Sequence, residues 1–375
     1  MKWFLVVLML LASGCAASAA GLATPQVTPP PTASPVPLGR NAIFILDPRN
    51  GNVVTQILVV DPDERRVTQT YRTRYTPEIA FSLDGSRLYV ADSYQSRVIR
   101  GEPHDVISVY DARTGDLLRD DVEIPKRLLY KGFPNPQPFT FLSRDGRRVF
   151  VGKYGDPDIH ALRMTVLDAE TFKTLAEYPR PECNLLPLRD GRVLCAGQSQ
   201  LRTIDPLTGT ASQVSASAPG LVAAVVASTR DWVYAVGTDA TGATLVSVVD
   251  LSSSPPHLVA ERVSLDSPPD SRAGFNHVAL SRDESRLYVG FVDQAGSGLA
   301  GEIWAFDART WARVGVFESA DAAFHVAVSA DGKQLYTVNP FENTLTIFDT
   351  TTFRVVTVMR DLGETPAQIV IPPAR

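Results

Sequence analysis

A short phrase that recurs along the chain constrains its fold more than any other feature. The phrase is Ser/Asp-Gly-x-x followed by an apolar run such as Leu-Tyr-Val, and relatives of it occur at 82–92, 143–153, 188–197, 228–237, 281–291 and 329–339. Asp-Gly supplies the positive φ of a tight hairpin turn, and the β-branched and aromatic residues after it favour a strand. An apolar strand precedes each phrase, and two more follow. Four-stranded units of about 35–50 residues are typical of a β-propeller.

Counting these units predicts seven blades. Six complete units cover 76–125, 137–180, 183–217, 221–263, 275–319 and 322–361. The N-terminal remainder supplies three strands, and the segment 364–371 resembles the opening of the second unit at 75–81. We therefore predict an all-β fold over residues 40–375, a seven-bladed propeller of four-stranded blades. The C-terminal strand would join the N-terminal blade and close the ring, which removes exposed sheet edges.

The first residues predict export. Lys2 precedes an apolar run, Trp3–Leu11, that is too short to span a bilayer. The run ends in Leu-Ala-Ser-Gly-Cys15, which resembles a bacterial lipoprotein signal. Residues 1–15 are thus expected to be a signal peptide that ends at a lipidated Cys15. The alternative is an ordinary signal peptide cut after residue 19 or 20.

The segment 16–39 is rich in Pro and Thr and carries no charge until the blades begin. Such a composition buries too little apolar surface to fold and favours extended conformations. We expect a disordered stalk that holds the propeller off a membrane. The expected location is that of an exported bacterial lipoprotein, on the periplasmic or cell-surface face of a membrane.

Charge and motifs exclude several classes of function. The net charge is −5 and the basic residues are scattered, so a nucleic-acid partner is not expected. No phosphate-binding loop, nucleophile elbow or zinc-protease motif occurs, and no catalytic residue or metal ligand is assigned. His277 and His325 take comparable places on two predicted inner strands, near the central channel. A metal or catalytic role is one interpretation, but hydrogen-bonded core histidines are favoured.

Two cysteines remain in the predicted propeller. Cys183 and Cys195 flank a strand–turn–strand pattern, so a disulfide across a hairpin is geometrically feasible in an oxidising compartment. The alternative is a pair of free, buried thiols. Nothing near either residue indicates a reactive thiol.

One segment between two strands has no counterpart in the other units. It lies within 96–111, which reads SRVIRGEPHDVISVYD, and this run resembles the second blade of the heavy (large) subunit of methylamine and aromatic amine dehydrogenases. The segments 54–61, 181–195 and 362–368 resemble the early strand, the disulfide hairpin and the C-terminal closure of the same family. More broadly, the repeats resemble those of YVTN-type propellers.

The resemblance implies a seven-bladed propeller that holds no cofactor. In that family, tryptophan tryptophylquinone sits in a separate, small, Cys-rich light subunit, and the heavy subunit scaffolds the complex and helps to form the substrate channel. This chain is therefore not expected to be catalytic alone. Tyr75 and Tyr94 correspond to the channel region. The segment without a counterpart in the other units contains three charged residues, Arg97, Arg100 and Glu102. They are candidates for partner binding, or else they brace a loop between blades.

Two other functions stay open from the sequence. A non-enzymatic, YVTN-like surface propeller would bind protein or carbohydrate. A metal-dependent lactonase would need carboxylates and Asn side chains that converge on the channel from several blades, and this interpretation ranks lowest.

Overall fold

The computed structural model describes eleven stretches of the propeller, and within them every regular element is a β-strand. The described residues are 41–48, 55–73, 75–94, 104–124, 140–154, 162–179, 183–197, 200–215, 221–253, 256–293 and 300–373. In these stretches no helix is long and apolar enough to cross a membrane. The predicted signal peptide with Cys15 and the stalk at 16–39 lie outside the described residues.

The first fifteen strands build most of four blades. They are β1 (Ile43–Asp47), β2 (Thr55–Asp61), β3 (Arg66–Thr73), β4 (Tyr75–Phe81), β5 (Arg87–Tyr94), β6 (His104–Asp111), β7 (Leu117–Ile124), β8 (Thr140–Leu142), β9 (Arg148–Tyr154), β10 (Leu162–Asp168), β11 (Thr174–Pro179), β12 (Asn184–Pro187), β13 (Val193–Gly197), β14 (Gln200–Ile204) and β15 (Ala211–Ser215).

The remaining strands build three more blades and complete the first. They are β16 (Leu221–Val226), β17 (Trp232–Thr238), β18 (Thr244–Asp250), β19 (His257–Ser264), β20 (Ser271–Leu280), β21 (Arg286–Asp293), β22 (Ala300–Asp307), β23 (Arg313–Ala323), β24 (His325–Val328), β25 (Gln334–Asn339), β26 (Thr344–Asp349), β27 (Val355–Met359) and β28 (Gln368–Val370).

The strand order confirms the predicted propeller. Six sheets contain four consecutive antiparallel strands each, β4–β7, β8–β11, β12–β15, β16–β19, β20–β23 and β24–β27, which we call blades 2 to 7. The seventh sheet has the order β28-β1-β2-β3 and is blade 1. The innermost strands of several neighbouring blades contact one another, as β16 contacts β20 and β20 contacts β24, so these strands form the inner wall of the ring.

Burial follows the position of each strand in its blade. The second strands are almost wholly buried, as β25 shows with five buried residues of six, because both of their faces pack against neighbouring blades. The outermost strands are exposed, and β19 has no buried residue. The apolar core is therefore divided into seven clusters of buried side chains, each shared by two adjacent blades.

The recurrent phrase makes the tight turn that the sequence predicts. In blade 2 the amide of Gly85 donates to the carbonyl of Ser82 at 2.8 Å. The carboxylate of Asp84 accepts hydrogen bonds from the Ser82 hydroxyl at 2.6 Å and the Ser86 amide at 3.0 Å. Since the polar groups of the turn satisfy one another, the phrase closes each inner hairpin locally.

The connections divide the ring into two faces. The amide of Ala112, in the turn after the third strand, donates to the Ser86 carbonyl at 2.8 Å, so both turns of blade 2 lie at the same end. Blades 3, 5, 6 and 7 repeat this contact. We call this end the turn face. The opposite end, the loop face, carries the connections between second and third strands and between blades.

The C-terminal strand closes the ring as predicted. Strand β28 pairs with β1, with Phe44 opposite Val370. Asp47, which has no exposed surface, accepts hydrogen bonds from the amides of Glu364 at 3.0 Å and Thr365 at 2.8 Å. A Cβ at Gly363 would lie 2.1 Å from an Asp47 carboxylate oxygen, so glycine is needed for this approach. One buried carboxylate thus fastens the end of the chain to its first strand.

Replacing Asp47→Ala should lower the free energy of unfolding by about 3 kcal/mol, because buried amides would lose a charged acceptor and the seventh blade interface would loosen. The control is Asp349→Ala, since Asp349 accepts hydrogen bonds from the amides of Thr351 and Thr352 within one local turn. That control should cost about 1 kcal/mol. Urea unfolding measures both, and equal losses would contradict a special role for ring closure.

Candidate functional site

The loop-face end of blade 2 brings two of the sequence candidates together. Tyr75 begins β4 and lies opposite Ser93 of β5, and Tyr94 follows Ser93 directly. A register shift between Tyr75 and Glu78 interrupts the ladder at this end. The two tyrosine positions are therefore neighbours at one end of the two innermost strands of the blade.

The other three candidates lie outside the described residues. Arg97, Arg100 and Glu102 belong to the 95–103 connection between β5 and β6. The strand ends that this connection joins are paired, with Tyr94 opposite His104. The chain therefore leaves and re-enters blade 2 beside the two tyrosine positions.

The cysteine pair forms a disulfide. Cys183 and Cys195 are bonded, with their Cα atoms 5.5 Å apart. Cys183 precedes β12, and Cys195 lies on β13 opposite Leu185. Cys195 is 5% exposed and packs among the apolar side chains between blades 3 and 4. The bond therefore ties together the two inner strands of blade 4, and the alternative of free thiols is excluded.

His277 lies on the inner strand β20, as predicted, but its environment differs from the expected one. The side chain is 2% exposed, and neither ring nitrogen makes a hydrogen bond with the described residues. Its ring packs directly on Gly274, where a Cβ would lie 2.0 Å from Nδ1. Burial lowers the pKa of His277 to about 4, although the nearby backbone carbonyls of Ala323 and Phe324 oppose the shift.

His325 takes the same place on the inner strand of blade 7. Its Nδ1 accepts a long hydrogen bond, 3.5 Å, from the amide of Ile369 on the closing strand β28. Burial lowers the pKa of His325 to about 3, and the proximity of His277 lowers it further. Both rings are therefore neutral near pH 7. In the described stretches, no group of three or more His, Cys, Asp or Glu side chains is placed to hold a metal ion.

The described tryptophans are engaged in blade packing. Trp304 lies 5.3 Å from the ring of Phe291, and Trp311 lies 6.3 Å from that of Tyr234. Arg230 stacks over Trp232, 3.4 Å from the ring centroid. These side chains stabilise blades 5 and 6.

A contact between blades 5 and 6 on the turn face, which we call the inter-blade brace, is not predicted from the sequence. Glu284 replaces the glycine of the recurrent phrase in blade 6 and has a φ of 57°. Its carboxylate accepts hydrogen bonds from the amide and hydroxyl of Thr229, at 2.9 and 2.6 Å, and pairs with Arg230 at 2.6 Å. Burial alone would raise the pKa of Glu284, but Thr229 and Arg230 lower it. The only signal in the sequence is the departure from glycine at this position.

Fold and repeat together define a seven-bladed β-propeller with a closed ring. The sequence model of the methylamine dehydrogenase heavy chain family (MADH) matches residues 40–190. The heavy chain of this enzyme from Methylorubrum extorquens is 23% identical over 372 residues, which cover 93% of this chain and 87% of that protein. The heavy chain from Methylobacillus flagellatus is 23% identical over 144 residues, 38% of this chain and 35% of that one. The chain is thus a heavy-chain-like propeller.

Solved structures share the propeller fold at low sequence identity. The periplasmic gluconolactonase PpgL of Pseudomonas aeruginosa aligns with a TM-score of 0.62 and 15% identity, covering 89% of this chain and 99% of that one. Dihydro-heme d1 dehydrogenase NirN, solved in complex with DHE, aligns with a TM-score of 0.54 and 18% identity. That alignment covers 88% of this chain and 66% of NirN. At these identities the likeness concerns the fold alone.

The two inner-strand histidines, His277 and His325, should make the propeller less stable in mild acid. Their folded-state pKa values, about 4 and about 3, lie below the ordinary 6.5, so the unfolded chain binds more protons as the pH falls below 6.5. Each histidine should then reduce the free energy of unfolding by up to about 1.4 kcal/mol per pH unit. Urea unfolding between about pH 7 and pH 5 measures this slope.

The control is the double variant His277→Gln/His325→Gln, which keeps polar side chains of similar length but cannot take up a proton in this range. Its unfolding free energy should change less with pH than that of the parent. The same slope in both proteins would contradict the assignment to these residues.

Proposed function

We propose that this chain is an exported, lipid-anchored propeller that scaffolds a separate light subunit of an amine dehydrogenase. The observation that carries the proposal is the match of the heavy-chain family to residues 40–190. That range includes the insert of blade 2, which has no counterpart in the other blades and contains Arg97, Arg100 and Glu102. It also includes the start of the cysteine hairpin. These are the parts of the sequence that distinguish the chain from a generic propeller.

In this proposal the light subunit docks on the loop face at blade 2. Tyr75 and Tyr94 lie at one end of the inner strands, where they would border the substrate channel. The charged insert offers arginines for carboxylates of a partner, and such pairs position two proteins more than they add affinity. Tryptophan tryptophylquinone of the partner would supply the oxidation of the amine, and this chain would hold the subunit and exclude water.

The anchor sets where the complex works. Cys15, with two or more acyl chains, would hold the protein on a membrane. The 16–39 stalk would then let the propeller meet its partner outside the cytoplasm. The disulfide Cys183–Cys195 is consistent with an oxidising compartment.

Coexpression tests the scaffold role. The proposal predicts that a small, Cys-rich, exported protein is encoded beside this chain. The chain is expressed alone and with that protein, and reduction of a dye by methylamine is measured. Reduction should require both chains, and the two should purify together. The variant Arg97→Ala/Arg100→Ala should lower recovery of the partner about tenfold, as expected for lost charged contacts.

The matched control is Arg113→Ala. Arg113 is exposed and lies in the turn-face hairpin of the same blade, at the other end of β6 from the insert. It should leave recovery unchanged. The scaffold role is wrong if the native host contains neither a co-purifying Cys-rich chain nor amine-dependent turnover.

A second candidate function is a stand-alone surface propeller that binds protein or carbohydrate, without an enzymatic partner. It is favoured by the end of the family match at residue 190, which leaves most of blade 4 and all of blades 5 to 7 outside the match. The heavy chain from Methylorubrum extorquens, which aligns over 93% of the chain, favours the first candidate instead. Capture of envelope proteins or glycans by the purified propeller, with no light chain among them, distinguishes this candidate from the first.

A further inference from the structure

An open cavity of about 650 Å³ lies on the turn face, at the mouth of the central channel. Six blades contribute residues at the end of their inner strands or just after it, and the segment after β28 contributes the rest. The residues that matter here are the second positions of the recurrent turn phrases, namely Leu83, Arg144, Arg189, Ser228, Arg282 and Ala330. Because the repeat places equivalent residues around one axis, residues far apart in sequence converge here.

The lining has two chemically different sides. Three arginines, Arg144, Arg189 and Arg282, line the cavity from blades 3, 4 and 6. The opposite side, from blades 7, 1 and 2, is mostly apolar, with Ser329 as its one polar residue, and it is lined by Leu83, Val328, Ala330, Ile371, Pro372 and Pro373. A cavity of this size with few polar groups on an apolar wall is typical of a small-molecule site.

The two carboxylates whose charges act on Arg144, those of Asp231 and Glu284, already have partners. Asp231 accepts a hydrogen bond from the backbone amide of Arg189 at 2.9 Å. Glu284 is taken up by Thr229 and Arg230 in the brace described above. The side chain of Arg189 donates to the carbonyl of Thr229, which holds this guanidinium at the rim of the cavity.

Arg144 and Arg282 make no ion pair in the part of the chain that the structure describes. Arg144 is half-buried, and burial lowers the pKa of its guanidinium. Asp231 and Glu284 oppose this shift, while Arg189 adds to it. The arginine stays charged, so its charge is partly desolvated and incompletely balanced. An anion in the cavity would balance it.

We propose that this cavity binds a small organic anion, with its carboxylate or phosphate against Arg144, Arg189 and Arg282 and its apolar body against the proline-rich wall. Guanidinium groups bind both kinds of oxyanion through paired hydrogen bonds. The site lies on the face opposite the insert, so the inference does not depend on a light subunit.

Calorimetric titration of the purified, full-length protein tests the proposal, with phenyl phosphate and benzoate as probes. At least one probe should bind. Phenol lacks the oxyanion and inorganic phosphate lacks the apolar body, so each should bind at least tenfold more weakly. The variants Arg144→Gln and Arg282→Gln should each weaken binding about tenfold, the usual effect of losing a charged hydrogen bond. Their folding should be preserved, because neither guanidinium braces the ring.

The matched controls are Arg113→Gln and Arg309→Gln. Both arginines are exposed on the same face, in turns two strands further from the channel, and neither lines the cavity. They change the net charge equally and should leave binding unchanged. Absence of binding by both probes would overturn the proposal, as would equal losses in control and cavity variants or equal binding of phenol.

Discussion

Closure of the ring is the constraint on which the rest of the structure depends. Each apolar cluster is shared by two blades, so a blade buries its faces only when both neighbours are present. The cluster between blades 7 and 1 includes Ile45 and Ile369, from strands more than 300 residues apart in sequence. Asp47 fastens these strands through the amides of Glu364 and Thr365. Without ring closure two blade faces would meet water.

The two faces of the ring differ in how their polar groups are satisfied. On the turn face, the polar groups of each turn form hydrogen bonds with one another. Glu284 of blade 6 also accepts a hydrogen bond from Thr229 of blade 5, so it links two blades. The strand ends on the loop face are joined by the longer connections, and Tyr94 and His104, which flank the insert, lie there. Loops on a rigid scaffold are where binding residues usually lie, since they vary without disturbing the core. A partner on the loop face and a small anion on the turn face would therefore bind at opposite faces of the same propeller.

The sequence predicted the candidate residues unevenly. Repeat alignment placed His277 and His325 on inner strands, but it did not show that His277 lacks hydrogen bonds, because that depends on the packing of Gly274 and of the next blade. The convergence of Arg144, Arg189 and Arg282 was also not predicted from the sequence. Each arginine is ordinary within its own turn, and only the rotational repeat brings the three to one cavity.

By itself, the sequence determined the blade, the number of blades and the strand that closes the ring. Those features rest on local chemistry repeated many times: Asp-Gly turns, β-forming runs and a fixed spacing. Tertiary structure alone decided which side chains of different blades meet, such as Glu284 with Thr229, or Asp47 with Thr365. Such contacts depend on the angle between blades and on depth within the ring. A repeat pattern is the same in every blade and does not contain that information.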